Sequence, residues 1–143
     1  MSGTRSCGRL PLAASALLLA LATIAGAVGA HALRTRWSAE RLQVYDTAVR
    51  YQFYHSLGLL GMGLLLSRDG LRVMDPRREG PDPGYLRVLR AAAGLVLAGI
   101  VLFSGSLYAL TLGAPRWMGI LTPVGGVALI GGWLLFAYGI CRA

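Results

Sequence analysis

The sequence predicts an all-α membrane protein, a bundle of four transmembrane helices with an interfacial helical extension before the second span. The chain has 143 residues, of which 55% are hydrophobic and 14% are charged, whereas roughly 25% of an average soluble domain is charged. Four stretches contain no Asp, Glu, Lys or Arg: residues 10–33, 51–67, 91–115 and 117–141. Since about 17 to 25 apolar residues suffice to cross a bilayer, each stretch is long enough for one span.

We therefore predict a single integral membrane domain over residues 1–143, with spans at about 10–33, 50–67, 88–113 and 117–140. The first span has an alternative interpretation, because Arg5 and Arg9 precede it and Ala30-His31-Ala32 resembles the cleavage site of a secretory signal. Its charge-free stretch is longer than the ~7–15 apolar residues of a usual signal core, which favours a retained span.

The segments between the spans have distinct local signals. Ser38 is a suitable N-cap, and Glu40 would lie in the first turn of the helix that follows. No Gly or Pro interrupts residues 39–57, so this interfacial helix is expected to run directly into the second span. Residues 68–84 are rich in Gly, Pro and Arg and predict a loop, and residues 113–116 predict a tight turn between the last two spans.

The charges indicate orientation. The chain has fourteen arginines, no lysine and a net charge of +8. Nine arginines lie in the two termini and in the 68–84 loop with its flanks, against five on the opposite side, so both termini are expected to face the cytoplasm. Because the arginines flank apolar segments and form no single patch, we expect no nucleic-acid binding.

Small residues recur on the predicted spans at spacings that suit close helix packing. In lipid, helices associate by close van der Waals approach, which Gly and Ala allow. We interpret these residues as the interface within the bundle, with a partner protein or a second copy as the alternative for one stripe. The residues are Gly26, Gly29, Ala98, Gly105, Gly125, Gly132 and Gly139.

Ordered motifs extend across all four predicted spans. They are residues 26–33 (GAVGAHAL), 51–55 (YQFYH), 102–108 (LFSGSLY), 122–126 (TPVGG) and 131–133 (GGW). In this order they resemble the domain-of-unknown-function family 423, which includes YgdD-like small bacterial inner-membrane proteins. The resemblance implies a four-span protein of the bacterial cytoplasmic membrane, and it implies no particular activity.

Polar residues are expected to gather at one membrane face, where the first and third spans end and the second and fourth begin. The candidate ligand-site residues are His31, Arg50, Tyr51, Tyr54, His55, Ser104, Ser106, Tyr108 and Thr122. At a rise of 1.5 Å per residue, His55 would lie roughly 7 Å inside the second span. Because an unpaired polar group in hydrocarbon costs several kcal/mol, we predict that His55 points inward and is hydrogen-bonded to another span. We also predict that the site opens toward the non-cytoplasmic face.

Two functional interpretations follow. The first is a non-catalytic bundle that supports a membrane complex or the lipid environment, in which the polar residues clamp helix ends. The second is a carrier or binding protein for a small ligand, a quinone or a haem at the polar end. We expect no enzyme activity, no resident cofactor and no metal, because no catalytic triad, phosphate loop or carboxylate pair is evident. The expected partners are the lipid bilayer and another membrane protein or a second copy.

Overall fold

The computed structural model describes residues 9–67 and 83–142, and every regular element in these two ranges is helical. Arg5, Cys7 and residues 68–82 of the predicted loop lie outside the described residues, whereas Pro83 and Gly84 form the first turn of a helix. The elements are α1 (Arg9–Val28), a π-helical segment (Gly29–Leu33), α2 (Ala39–Leu66), α3 (Pro83–Thr111), a 3-10 helix (Arg116–Ile120) and α4 (Leu121–Cys141). The all-helical prediction is confirmed.

Three of the described helical stretches are long and apolar enough to cross a membrane: Leu10–Leu33, Pro83–Thr111 and Arg116–Cys141. The remaining long helix, α2, has 28 residues, but its N-terminal half carries four charged side chains: Glu40, Arg41, Asp46 and Arg50. The apolar spans are therefore three by length and composition, and α2 combines a charged half with an apolar half.

The N-terminus of α2 is capped as predicted. Ser38 has an extended backbone conformation, and its side-chain oxygen accepts a hydrogen bond from the Arg41 backbone N–H at 3.4 Å. This bond satisfies one of the amide groups that lack a partner in the first turn of a helix. From this cap the helix continues without interruption to Leu66.

Consecutive helices are antiparallel neighbours, so the chain forms a row in the order α1, α2, α3, α4, which bends so that α2 also contacts α4. The extensive helix–helix contacts are those between α1 and α2, α2 and α3, and α3 and α4. The buried core lies where the last three helices meet, and its fully enclosed members include Leu59 and Met62 of α2, and Leu89 and Val96 of α3.

Close backbone approach joins α3 to α4. A Cβ added to Gly132 would lie 2.7 Å from Val96 Cγ2 and 3.0 Å from the Val96 nitrogen. Gly125 lies directly against the Phe103 backbone, and Gly139 contacts Val88 in the same register. The hairpin turns at Gly113, whose φ of +97° is a conformation that favours glycine.

On α3 the structure corrects the predicted packing stripe. Ala98 and Gly105 are exposed, and no described atom lies within 4 Å of a Cβ placed at Gly105. The side that meets α4 contains Ala92 and Gly99, one residue further along. Because each residue turns an α-helix by about 100°, this displacement separates the contact face from the exposed stripe.

Side-chain hydrogen bonds to backbone carbonyls attach α1 to α2. The Gln52 amide nitrogen donates to the Leu18 carbonyl at 2.9 Å, and the Tyr45 hydroxyl donates to the Ala25 carbonyl at 2.9 Å. Of the predicted packing residues on α1, Gly29 lies against the Tyr45 ring, and a Cβ at Gly26 would be in ordinary contact with Val49.

Candidate functional site

The nine predicted site residues do not form one cluster. Ser104 and Tyr108 are four residues apart and share one side of α3, whereas Ser106 is rotated by about 200° from Ser104. The structure accordingly divides the polar residues into a half-buried pair between α2 and α4, a bond between α3 and α4, and a groove beside α1. This division corrects the prediction of a single polar end.

The half-buried pair, His55 and Trp133, joins α2 to α4. The Trp133 indole nitrogen donates to His55 Nδ1 at 2.9 Å, and the prediction that His55 bonds to another helix is confirmed. Because an indole N–H can only donate, Nδ1 carries no proton and the neutral ring is protonated at Nε2. Tyr51 stacks on Phe103 with a centroid separation of 4.5 Å and borders the imidazole.

This pair lies deeper than the sequence predicted. His55 is sixteen residues after the start of α2, or about 24 Å along its axis. Trp133 is twelve residues after the start of α4 and eight before its end. The pair therefore lies near the middle of both helices. The prediction measured the depth of His55 from the expected start of the second span near residue 50. It did not anticipate that the partner of His55 would be Trp133, which lies eleven residues beyond Thr122 on α4.

A second polar contact closes the α3–α4 hairpin near its turn. The Ser106 and Thr122 hydroxyl oxygens are 2.7 Å apart, and Ser106 also donates to the Phe103 carbonyl. These hydroxyls satisfy each other, so this bond is best described as a clamp between helix ends.

The groove beside α1 contains hydroxyl groups without partners. Ser104 and Tyr108 line it together with Tyr45 and Gln52 of α2. Neither the Ser104 Oγ nor the Tyr108 hydroxyl has a hydrogen-bond partner among the described residues, although both atoms are buried. Tyr108 packs edge-on against Tyr45, with ring centroids 5.3 Å apart.

The other predicted residues lie outside these clusters. His31 is exposed in the π-helical segment after α1, and Tyr54 is 63% exposed. Arg50 forms an exposed ion pair with Asp46 one turn earlier on the same helix. None of these three belongs to a polar cluster with the other predicted site residues.

The two histidines are too far apart to act as axial ligands of one haem. His31 belongs to the segment that packs at the level of Tyr45, since Gly29 lies against the Tyr45 ring. His55 is ten residues further along α2, or about 15 Å away along the axis. Among the described residues, no three His, Cys, Asp or Glu side chains form a group that could hold a metal ion.

Three residues of these clusters were missed by the sequence reasoning: Trp133, Gln52 and Tyr45. Trp133 stood in a recognised motif, and its indole N–H in an apolar helix was a signal that a partner was needed. Gln52 gave a similar signal, because it is an amide inside a charge-free run. Tyr45 lay in the predicted interfacial segment, where a tyrosine requires no special explanation.

Comparison with known proteins assigns the chain to a family. The model of a family described as a protein of unknown function (DUF423) matches residues 25–126. The chain belongs to the DUF423 family. This shows the resemblance drawn from the sequence motifs to be correct. The matched region includes Ser106 and the polar groove residues Tyr45, Gln52, Ser104 and Tyr108, but it ends before Trp133.

Related DUF423 sequences cover most of the chain. A UPF0382 membrane protein of Staphylococcus saprophyticus is 39% identical over 87% of this chain and 90% of its own length. The UPF0382 membrane protein YwdK of Bacillus subtilis is 37% identical over 80% and 82%, and the UPF0382 inner membrane protein YgdD of Escherichia coli is 34% identical over 82% and 78%. No solved structure matches. The chain is thus a helical membrane protein of an uncharacterised family.

Proposed function

We propose that this DUF423 protein is a non-catalytic, four-span protein of the bacterial cytoplasmic membrane that supports a membrane complex through an exposed face of α3. Both termini face the cytoplasm in this proposal, as the arginine distribution favours. The partner is a transmembrane helix of another membrane protein or of a second copy. The relative from Escherichia coli is named an inner membrane protein, which supports the same location here.

The packing of α2 supports the proposed fourth span. At one end of the α1–α2 pair Gly63 lies against Leu12, and at the other the Tyr45 hydroxyl bonds to the Ala25 carbonyl. A helix that runs antiparallel along nearly the whole of α1, and also along α3, crosses the same bilayer when they do. The charged residues of its N-terminal half then lie toward one membrane surface.

The observation that carries the proposed function is the exposed small-residue stripe on α3. Ala91, Gly94 and Ala98 are exposed, and no described atom lies within 4 Å of a Cβ placed at Gly94. Small residues at this spacing allow another helix to approach closely, and this approach drives helix association in lipid. The α3 stripe, defined by these three residues, is therefore the proposed contact surface.

The polar groups support a non-catalytic role. His55 accepts a bond from Trp133, and Ser106 and Thr122 bond to each other. These pairs tie helices together, and the hydrogen-bonding groups in them are occupied by one another.

The complex is tested by a substitution on the stripe. Gly94→Leu should abolish co-purification of the partner in mild detergent, because a large side chain prevents close approach, while the protein itself still folds. Gly61→Leu is the matched control, since Gly61 is also exposed on a helix with open space around it. A parent protein that runs as a single chain with no partner in native mass spectrometry would contradict the proposal.

Orientation is tested separately with the native cysteines. A membrane-impermeant maleimide applied to intact cells should leave Cys7 and Cys141 unlabelled, and both should react after permeabilisation. Cys141 is exposed and forms no disulfide, so its labelling reports the side of the membrane on which the C-terminus lies. Strong labelling of both cysteines in intact cells would reverse the proposed topology.

The small-ligand interpretation remains a second candidate because one observation favours it: the unpartnered hydroxyl groups of Ser104 and Tyr108 in the groove beside α1. A native mass spectrum with a bound small molecule, or a coloured preparation, would support this candidate over the complex.

A further inference from the structure

An open groove of about 600 Å³ lies between α1 and α3, with α2 as its floor. Its walls are apolar and exposed, and they include Leu21 and Ile24 of α1 and Val101 of α3. Its floor is polar and buried, with Gln52 and Ser104 at 5% and 2% exposure. Exposed hydrocarbon walls over buried polar atoms are suited to an amphiphilic ligand.

The floor has unused hydrogen-bonding capacity. The Ser104 and Tyr108 hydroxyls are each buried without a partner among the described residues. A buried hydroxyl without a partner is energetically unfavourable, so a ligand acceptor that reaches this floor would gain a hydrogen bond from each of the two hydroxyls. Both hydroxyls can donate, and a carbonyl oxygen is an acceptor that suits them.

A positively charged side chain, Arg41, lies at one end of the groove. Trp37 lines the groove, and the Arg41 guanidinium lies 4.1 Å from the centre of its ring. Arg41 Nε donates to the Thr111 carbonyl at 2.6 Å, which fixes the guanidinium at the C-terminal end of α3. That bond uses one of the five N–H donors of an arginine side chain.

The guanidinium and the two hydroxyl groups lie at successive depths along α3. The Arg41 guanidinium lies at the level of Thr111, Tyr108 lies about 4.5 Å deeper along α3, and Ser104 lies about 10 Å deeper. A phospholipid has the same order, with its phosphate at the surface, ester carbonyls below it and acyl chains beyond.

We propose that the groove between α1 and α3 binds an anionic phospholipid. Its phosphate lies against Arg41, its ester carbonyls accept hydrogen bonds from the Tyr108 and Ser104 hydroxyls, and one acyl chain follows the apolar walls. The charge of the site favours an anionic headgroup. Arg34 and Arg36 are exposed in the segment that connects α1 to α2, and no acidic side chain is among the residues that line the groove.

This site goes beyond the proposed function, and it is distinct from the α3 stripe. The groove includes Gly105 but none of the three residues of the stripe. Gly94→Leu should therefore leave lipid binding unchanged, and loss of the lipid site should leave co-purification of the partner unchanged. Failure of one proposal is thus separable from failure of the other.

The test measures phospholipid binding to the delipidated full-length protein in mild detergent, by native mass spectrometry and thermal stability. The probes are dioleoyl phosphatidylglycerol and dioleoyl phosphatidylcholine, which differ in headgroup charge but share acyl chains. We expect one phosphatidylglycerol to remain bound and to raise the melting temperature, with a clearly weaker effect of phosphatidylcholine.

Hydroxyl deletions then test the floor. Tyr108→Phe and Ser104→Ala should each weaken phosphatidylglycerol binding by about three- to tenfold, as expected for one lost hydrogen bond. In the lipid-free protein neither change should lower stability, because each removes a hydroxyl that has no partner. Tyr138→Phe is the matched control, since Tyr138 also lies beside an arginine, Arg142, but outside the groove.

The headgroup contact is tested with Arg41→Gln, which should reduce the preference for phosphatidylglycerol about fivefold, while the control Arg36→Gln should reduce it less. Equal binding of the two phospholipids would overturn the proposal, as would unchanged affinity in the Tyr108 and Ser104 variants. Preferential retention of a neutral quinone, or a dimer that buries the groove, would also overturn it by identifying a different occupant.

Discussion

At the scale of single residues, the His55–Trp133 bond shows why polar groups persist inside this apolar protein. The bond joins α2 to α4, which are not consecutive in the row of helices. The indole also packs directly on Gly58 and edge-on against Phe136, with ring centroids 6.0 Å apart. Such a bond is costly to lose, because each half-buried partner would be left unpaired on an apolar helix.

Trp133→Phe should lower the free energy of unfolding in detergent by about 1–3 kcal/mol, because it leaves the His55 acceptor unpaired and removes packed ring volume. Chemical denaturation followed by circular dichroism measures the change. Trp117→Phe is the control, because Trp117 is 62% exposed, and it should have little effect. Equal stability of the two variants would show that the hydrogen bond contributes nothing.

Glu40 gives the start of α2 a pH dependence. Hydrogen bonds from its own backbone N–H and from the Ser38 side chain hold the pKa of the Glu40 carboxyl below its ordinary value. A group with a lowered pKa in the folded state stabilises that state above its unfolded pKa, and the contribution is lost as the pH falls through the folded value. The protection of the first-turn amides of α2 against exchange, measured relative to the intrinsic exchange rate at each pH, should therefore fall on acidification below about pH 4.5, and Glu40→Gln should abolish that fall.

At the scale of helices, the packing of α3 on α4 depends on glycines that let the two backbones touch. The sequence predicted which segments are helical, because long charge-free runs are a strong local signal. It also predicted the position of the hairpin turn from the Gly113–Arg116 segment. The face of α3 that meets α4 was not predictable in the same way. Two small-residue stripes one residue apart, at Ala91/Ala98 and Ala92/Gly99, are equally regular in sequence, and only the position of α4 distinguishes them.

Gly132→Leu should destabilise the protein by at least the ~1–3 kcal/mol that is typical of overpacking, because the new side chain would collide with Val96. Thermal unfolding in detergent provides the measurement. Gly131→Leu is a control at the adjacent position, where no described atom lies within 4 Å of an added Cβ. A Gly132→Leu variant as stable as Gly131→Leu would mean that the α3–α4 interface can readily separate.

At the scale of the whole molecule, the arrangement is a row of helices, which the sequence did not indicate. The four spans predicted from the sequence are compatible with a closed bundle or with a row, since membrane helices lack the polar face that reveals burial in soluble helices. The consequence for the candidate site is direct: a row separates the half-buried pair of His55 and Trp133 from the groove beside α1, whereas a closed bundle would have brought the polar residues together. The depth of His55 was misjudged because its partner, Trp133, lies in the middle of α4 and not near Thr122 at the start of that helix.

A row also predicts unequal stability along the chain. In the apolar membrane-crossing stretch of α3, 33% of the residues are buried, whereas in that of α1 only 17% are buried. The difference arises because α3 has a neighbour on both sides and α1 packs mainly on α2. Local opening requires the least loss of contact at the end of the row, so α1 should separate from α2 before α3 leaves the core. Ala22 of α1 and Ala92 of α3 are matched probes, since both are alanines with at most 1% exposure. In a background with Cys7 and Cys141 replaced by serine, the thiol of Ala22→Cys should be labelled faster in detergent than that of Ala92→Cys. Equal labelling rates, each tracking global unfolding, would instead show that the four helices open as one cooperative unit.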